Sequence, residues 1–146
     1  MDPTAFQLIP YSQNDEPPCN TIHISGNIIR NQNQLICHYL VSGDLDTIAW
    51  PAQAIPANAG EALWRHTCLE MFVADRENPA YWEYNFSPSL RWAIYRFSNY
   101  RQTQATPRLN DVKIQSQFVS PEQFSLQVNA PIPAELLQCQ LDIGVA

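Results

Sequence analysis

Residues 63–101 read LWRHTCLEMFVADRENPAYWEYNFSPSLRWAIYRFSNYR. This stretch holds ten of the sixteen aromatic residues and five of the seven arginines. Three runs rich in aromatic and β-branched residues are separated by two punctuated segments, Asp75 to Ala80 and Ser87 to Leu90. Such punctuation between strand-forming runs predicts a three-stranded antiparallel meander. If the first turn is symmetric, strand partners sum to 155, so Glu70 opposes Asn85 and Phe72 opposes Glu83. If residues 88–90 make the second turn, partners sum to 178, and Glu83 opposes Tyr95 while Asn85 opposes Ala93. Side chains alternate across a sheet, so these registers sort the meander into two faces. One face carries Leu69, Met71, Val73, Trp82, Tyr84, Phe86, Trp92 and Ile94, a sandwich core. The other carries Trp64, His66, Glu70, Phe72, Tyr81, Glu83, Asn85, Tyr95 and Phe97.

The second face mixes carboxylates and amides with flat rings. Rings stack on the apolar faces of pyranoses, and carboxylates and amides pair with hydroxyls. A sugar site combines these on one preformed surface. The competing account is a solvated sheet face on which the rings are ordinary cross-strand packing.

Outward from the meander, residues 1–20 carry four prolines and predict an extended arm laid over the body. A strand is expected over Thr21–Arg30, with a bulge or kink at Gly26, and a second over Gln34–Ser42, joined through Asn31–Asn33. Leu45–Trp50 suggests a short edge strand, Pro51–Gly60 a loop, and Gln102–Asn110 a polar loop. Period-two alternation marks strands over Asp111–Val119 and Gln123–Asn129, and another over Gln138–Ala146. Pro131–Leu137 suits a single helical turn. Eight or so short strands with almost no helical periodicity predict an all-β, antiparallel β-sandwich. It is read as a single domain over residues 21–146, with the last strand running to Ala146 as though the fold continued.

Chain length and 45% apolar content provide for a packed core. The net charge of −6 argues against nucleic acid, whose phosphates call for a basic surface. No stretch approaches the roughly 20 apolar residues of a membrane span. The N-terminal residues have neither a basic start nor a long apolar run, so a cytoplasmic protein is the simplest expectation. Cys19, Cys37, Cys68 and Cys139 are far apart and are expected to be reduced thiols. Asn85-Phe86-Ser87 fits a glycosylation sequon, which has no meaning without export.

The tryptophan at 64, the TC-x-E-x-F run at 67–72 and the E-x-N-x-SP-x-x-x-W-x-x-Y-x-F run at 83–97 resemble the pattern of DOMON-like proteins. That group is related to the type 9 carbohydrate-binding modules. The resemblance spans about 110 residues of this chain, and its middle third is the specific part. It implies an immunoglobulin-like or jelly-roll sandwich with a ligand site for a sugar or, in some relatives, haem. In the type 9 modules a tryptophan, a glutamate six residues on and an asparagine on the next strand contact the sugar. Those positions correspond here to Trp64, Glu70 and Asn85, with Glu83, Tyr95 and His66 on the same face. The modules add a second tryptophan late in the chain. None follows Trp92 here, which leaves Trp50 or Tyr100 as substitutes.

Four functions therefore compete. A non-catalytic sugar-binding domain uses Trp64 as a platform, Glu70 and Asn85 for hydroxyls, and Glu83 and Tyr95 at the rim. A haem domain needs Met and His ligands, but Met71 falls on the core face, opposite His66, and His38 lies on another strand. A glycoside hydrolase would use Glu70 and Glu83 as its carboxylate pair, although an open sheet face is poorly suited to raising one pKa by burial. A scaffold would present an apolar patch to a protein partner. No cofactor is expected. The resemblance allows a structural calcium ion, with Asp44/Asp46 and Asp75/Glu77 as loop acids of suitable type.

Overall fold

The computed structural model describes residues 2–11, 20–54, 57–104, 109 and 111–146, with residues 103 and 104 described by their backbone alone. Eleven strands and three single 3-10 turns make up these residues: β1 Thr4–Gln7, β2 Ile22–Asn31, β3 Gln34–Gly43, β4 Asn58–Ala59, β5 Leu69–Asp75, β6 Tyr81–Phe86, β7 Arg91–Asn99, β8 Gln102–Gln104, β9 Lys113–Ser120, β10 Gln123–Pro131 and β11 Leu141–Val145. The 3-10 turns cover Leu45–Thr47, Leu63–Arg65 and Ala134–Leu136. One sheet has the order β1-β2-β3-β10-β9 and the other β11-β5-β6-β7-β4, with β8 also on β7. The chain is a β-sandwich. No helix among the described residues is long and apolar enough to cross a membrane.

The core follows from period-two alternation. On β3 Leu35, Cys37, Tyr39 and Val41 are buried, and on β10 Phe124, Leu126, Val128 and Ala130. They face Leu69, Met71, Val73, Trp82, Tyr84, Phe86 and Ile94 of the second sheet. Two buried tyrosines cross this interface: the Tyr39 hydroxyl donates to the Glu70 carbonyl at 2.8 Å, and the Tyr84 hydroxyl to the Pro131 carbonyl at 2.9 Å. A buried phenol without a partner would cost roughly 1–3 kcal/mol, so each sheet supplies the acceptor that the other sheet's tyrosine requires. Glu135, on the last 3-10 turn, accepts from Trp82 Nε1 at 3.0 Å and pairs with Arg96 at 2.9 Å. The Arg30 guanidinium donates to the carbonyls of Leu137 and Cys139, tying β2 to the segment that leads into β11.

The meander registers are those expected from the sequence. Glu70 pairs with Asn85, Phe72 with Glu83, Glu83 with Tyr95 and Asn85 with Ala93. Four local expectations are corrected. Leu45–Trp50 is no edge strand: its first residues form a 3-10 turn in which Trp50 Nε1 donates to the Leu45 carbonyl at 3.0 Å. Gln102–Gln104 lies not in a loop but in β8, folded back on β7. Gly26 is neither bulge nor kink. β2 pairs with β1 and β3 in unbroken register, and Phe6 sits opposite Gly26 with its ring 5.5 Å from that of Tyr39. That contact makes part of the N-terminal arm an edge strand. Pro51–Gly60 contributes β4, a two-residue parallel pairing with Arg91 and Trp92, so the second sheet is mixed at this edge. Residues 12–19, 55–56, 105–108 and 110, with Cys19 and much of the arm, lie outside the described residues. Cys37, Cys68 and Cys139 are free thiols.

Candidate functional site

The outer face of β5, β6 and β7 forms an open trough of about 600 Å³ lined by Trp64, Glu70, Phe72, Tyr81, Glu83, Tyr95, Phe97, Tyr100 and Arg101. Its rows follow the ladder. Phe72, Glu83 and Tyr95 make one row, and Tyr81 with Phe97 the next. Tyr81 and Phe97 are direct cross-strand neighbours, and their rings stack at 4.7 Å with an interplanar angle of 6°. Phe72 leans on Tyr81 at 6.4 Å. Opposed aromatic pairs of this kind add about 0.5–1.5 kcal/mol beyond their burial, so the floor is stiff before any ligand arrives.

Trp64 reaches the trough from outside the sheet. Ala62 takes a left-handed conformation (φ 51°) and starts the 3-10 turn Leu63–Arg65. Leu63 is buried as the anchor, while Trp64 stands 54% exposed with its edge on Tyr95 at 6.3 Å. Arg65 lies over the Trp64 ring and Arg101 over the exposed Tyr100 ring. The Arg101 backbone N–H donates to the Tyr81 hydroxyl at 3.4 Å, which holds the β7–β8 turn at the trough's end.

Asn85 is fully buried rather than presented to a ligand. Its cross-strand neighbour on β7 is the small Ala93, and the turn carrying Trp64 packs on β6 and β7. Its Nδ2 donates to Glu83 Oε1 at 2.8 Å, and its Oδ1 accepts from Cys68 Sγ at 3.7 Å. Asn85 therefore fixes the carboxylate next to it. Complete burial also makes it an unsuitable glycan acceptor. His66 caps the Leu63–Arg65 turn through its backbone and its side chain is not part of the trough lining. Of the six candidate site residues, the structure brings Trp64, Glu70, Glu83 and Tyr95 onto the trough, places Asn85 beneath it and leaves His66 outside. Phe72, Tyr81 and Phe97 were on the expected face without an assigned role. Tyr100 and Arg101 join through the β8 turn, for which the sequence offered no strand signal.

Glu70 is half-buried, and its carboxyl is pushed above the ordinary value, first by burial and then by the negative charge of Glu83. This corrects the expectation that an open sheet face would not shift a carboxylate: the aromatic walls remove enough water to do so. Burial, then Glu70, push the Cys68 thiol up to about 12, so it stays protonated as a weak donor. Because the folded state holds the Glu70 proton more tightly than the unfolded chain does, stability falls as pH rises from the ordinary value of 4.5 through the raised one. Glu70→Gln is expected to be more stable than the parent near neutral pH, with the difference disappearing in acid. Urea denaturation at both pH values checks this, and an equal offset at both would show that charge is not the cause.

Among the described residues, no three His, Cys, Asp or Glu side chains gather as a metal site. Met71 is fully buried in the core, and His38 Nε2 is 2.8 Å from Ser125 Oγ.

No family model matches the sequence, and no curated protein matches it. Two solved structures are similar to the chain to different degrees. A protein from Bacteroides uniformis, proposed to bind carbohydrate, superposes with a TM-score of 0.63 at 15% identity, covering 99% of this chain and 65% of that one. A family 9 carbohydrate-binding module from Caldicellulosiruptor kristjanssonii, solved with glucose, gives a TM-score of 0.46 at 11% identity, covering 95% and 64%. The chain thus spans just under two thirds of each. At these identities the first likeness establishes a shared fold.

Proposed function

We propose that the trough on the β5–β6–β7 face is a carbohydrate-binding site, and that the chain is a non-catalytic binding domain of the DOMON-like, type 9 kind. One observation carries this reading. Two carboxylates stand in an aromatic trough, and one of them, Glu83, is held in place by the amide nitrogen of the fully buried Asn85. A plain solvated sheet face has no need of a fully buried amide to orient a half-buried acid. The fold shared with a protein proposed to bind carbohydrate supports the reading, as does the module solved with glucose. In this reading Trp64 and Tyr95 form a corner for the sugar ring, and Glu70 and Glu83 accept from its hydroxyls.

Tryptophan fluorescence during titration with mono- and oligosaccharides tests the proposal. Saturable quenching is expected, with Trp64→Ala weakening binding roughly thirtyfold, about 2 kcal/mol, as for other central aromatic anchors. A flat titration across neutral and charged sugars would overturn it.

One observation favours a second reading. Glu70 combines a raised pKa with a neighbouring carboxylate, and residues diagonal on adjacent strands stand roughly 7–8 Å apart, within the range of inverting glycosidases. Turnover of aryl glycosides that is lost in Glu70→Gln would establish hydrolysis in place of binding.

A further inference from the structure

Resting on that reading of the trough, we propose that its preferred ligand is an amino sugar. Its ammonium would lie between Glu70 and Glu83, in place of the hydroxyl of the neutral sugar of the same shape.

Neither Glu70 nor Glu83 makes an ion pair among the described residues, where the carboxylates that do are Asp142 and Glu135. The two negative groups nevertheless share one partly dehydrated trough and feel each other's field. A hydroxyl placed there forms hydrogen bonds but leaves this repulsion in force. An ammonium forms the same bonds with charge assistance and relieves the repulsion on both sides. Among the described residues, the only side-chain hydrogen bond to the Glu83 carboxylate comes from the neutral Asn85 amide, on Oε1. Asn85 thus orients the carboxylate without neutralising it, which suits a site whose positive charge comes with the ligand.

The rings point the same way. Stacked aromatic faces attract cations, most strongly where water is displaced. The two outermost rings of the trough, Trp64 and Tyr100, each already carry a guanidinium over one face. Both arginines are exposed, so salt screens their repulsion of an incoming ammonium far more than it screens the half-buried carboxylates. Among the described residues, no such cation lies over the inner rings, Phe72, Tyr95 and Phe97. The overall charge of −6 adds a weak attraction of the same sign.

Calorimetric titration of the whole chain near pH 7 in low salt, with glucosamine, glucose and N-acetylglucosamine, tests the proposal. Glucosamine is expected to bind about tenfold more tightly than glucose, the difference between a charge-assisted and a neutral hydrogen bond. N-acetylglucosamine, which keeps the nitrogen and loses the charge, is expected to show no such advantage. Added salt is expected to weaken glucosamine selectively, and E70Q and E83Q to abolish the difference between amino and neutral sugar. Equal affinity for glucosamine and glucose would overturn the charge preference and leave the sugar site standing. A preference that survives both glutamine variants would overturn the assignment to these carboxylates. Absence of binding by all three sugars and by longer oligosaccharides would overturn the sugar site itself, and this inference with it.

Discussion

Gly26→Ala is expected to destabilise the protein by about 3 kcal/mol or more, although alanine is a small residue and position 26 lies inside a regular strand. A Cβ at this position would lie 2.0 Å from the His38 carbonyl oxygen and 2.6 Å from Phe6 Cζ. Phe6 sits at the sheet edge and can swing away. The His38 carbonyl cannot, because it belongs to β3, which is paired along its length to β2 on one side and β10 on the other. Moving Phe6 off Tyr39 removes only the second clash; relief of the first requires β2 to lift from β3, which loses packing at the centre of the first sheet. For a chain of this size a loss of 3 kcal/mol corresponds to roughly 10 °C in Tm. Gly144→Ala is the matched control. Its nearest neighbour would be Phe72 at 3.9 Å, an ordinary contact on an edge strand, and the effect is expected to stay within about 0.5 kcal/mol. Thermal and urea denaturation of the pair check the contrast, and equal effects would mean that the notch at Gly26 is not a packing requirement.

Gly26 also shows where the sequence stops being legible. Its presence in a strand signalled something unusual, and a bulge was a reasonable inference. The actual reason, the ring of Phe6 laid over the notch onto Tyr39, depends on a strand pairing between residues some twenty positions apart. The meander was readable for the opposite reason. Asn78-Pro79 and Ser87-Pro88-Ser89 fix two tight turns, and with the turns fixed the period of two determines every cross-strand pair from Leu69 to Phe97. Short elements held only by tertiary contact, such as β4, β8 and the Leu45–Thr47 turn, have no periodicity of their own to read. The trough divides along the same line. Parity placed Glu70, Phe72, Tyr81, Glu83, Tyr95 and Phe97 on one face, where they are found. Depth was invisible, because parity sorts side chains by face and not by how far neighbouring elements, such as the 3-10 turn that Ala62 starts, cover them. That turn leaves Trp64 at the surface while Asn85, one strand away, is sealed off from solvent.

The depth of Asn85 yields the second large effect. Asn85→Asp changes one amide nitrogen into an oxygen, yet it is expected to cost about 3–4 kcal/mol near neutral pH and almost nothing in acid. A charged aspartate there would be fully buried, with Glu83 Oε1 at hydrogen-bond distance and Glu70 in the opposite position on the next strand. Burial and two like charges both raise its pKa, so the folded state keeps the proton that the unfolded chain releases near pH 4. Protonated, the new carboxyl can donate to Glu83 and accept from Cys68, as the amide does. Stability therefore shows no deficit below pH 4, then a loss of about 1.4 kcal/mol per pH unit until the folded-state pKa is passed. Asn85→Leu separates charge from hydrogen bonding. It leaves Glu83 without its donor at every pH, with an expected cost of roughly 1–3 kcal/mol that changes little with pH. The leucine also releases Glu83 from its fixed position, so any sugar affinity of the trough is expected to fall with it at every pH, whereas the aspartate keeps the contact for as long as it holds its proton. Denaturation midpoints of the two variants at pH 4 and pH 7.5 distinguish these outcomes. An aspartate variant as stable as the parent at pH 7.5 would mean that water reaches position 85, and that Asn85 belongs to the binding surface itself rather than to the support beneath it.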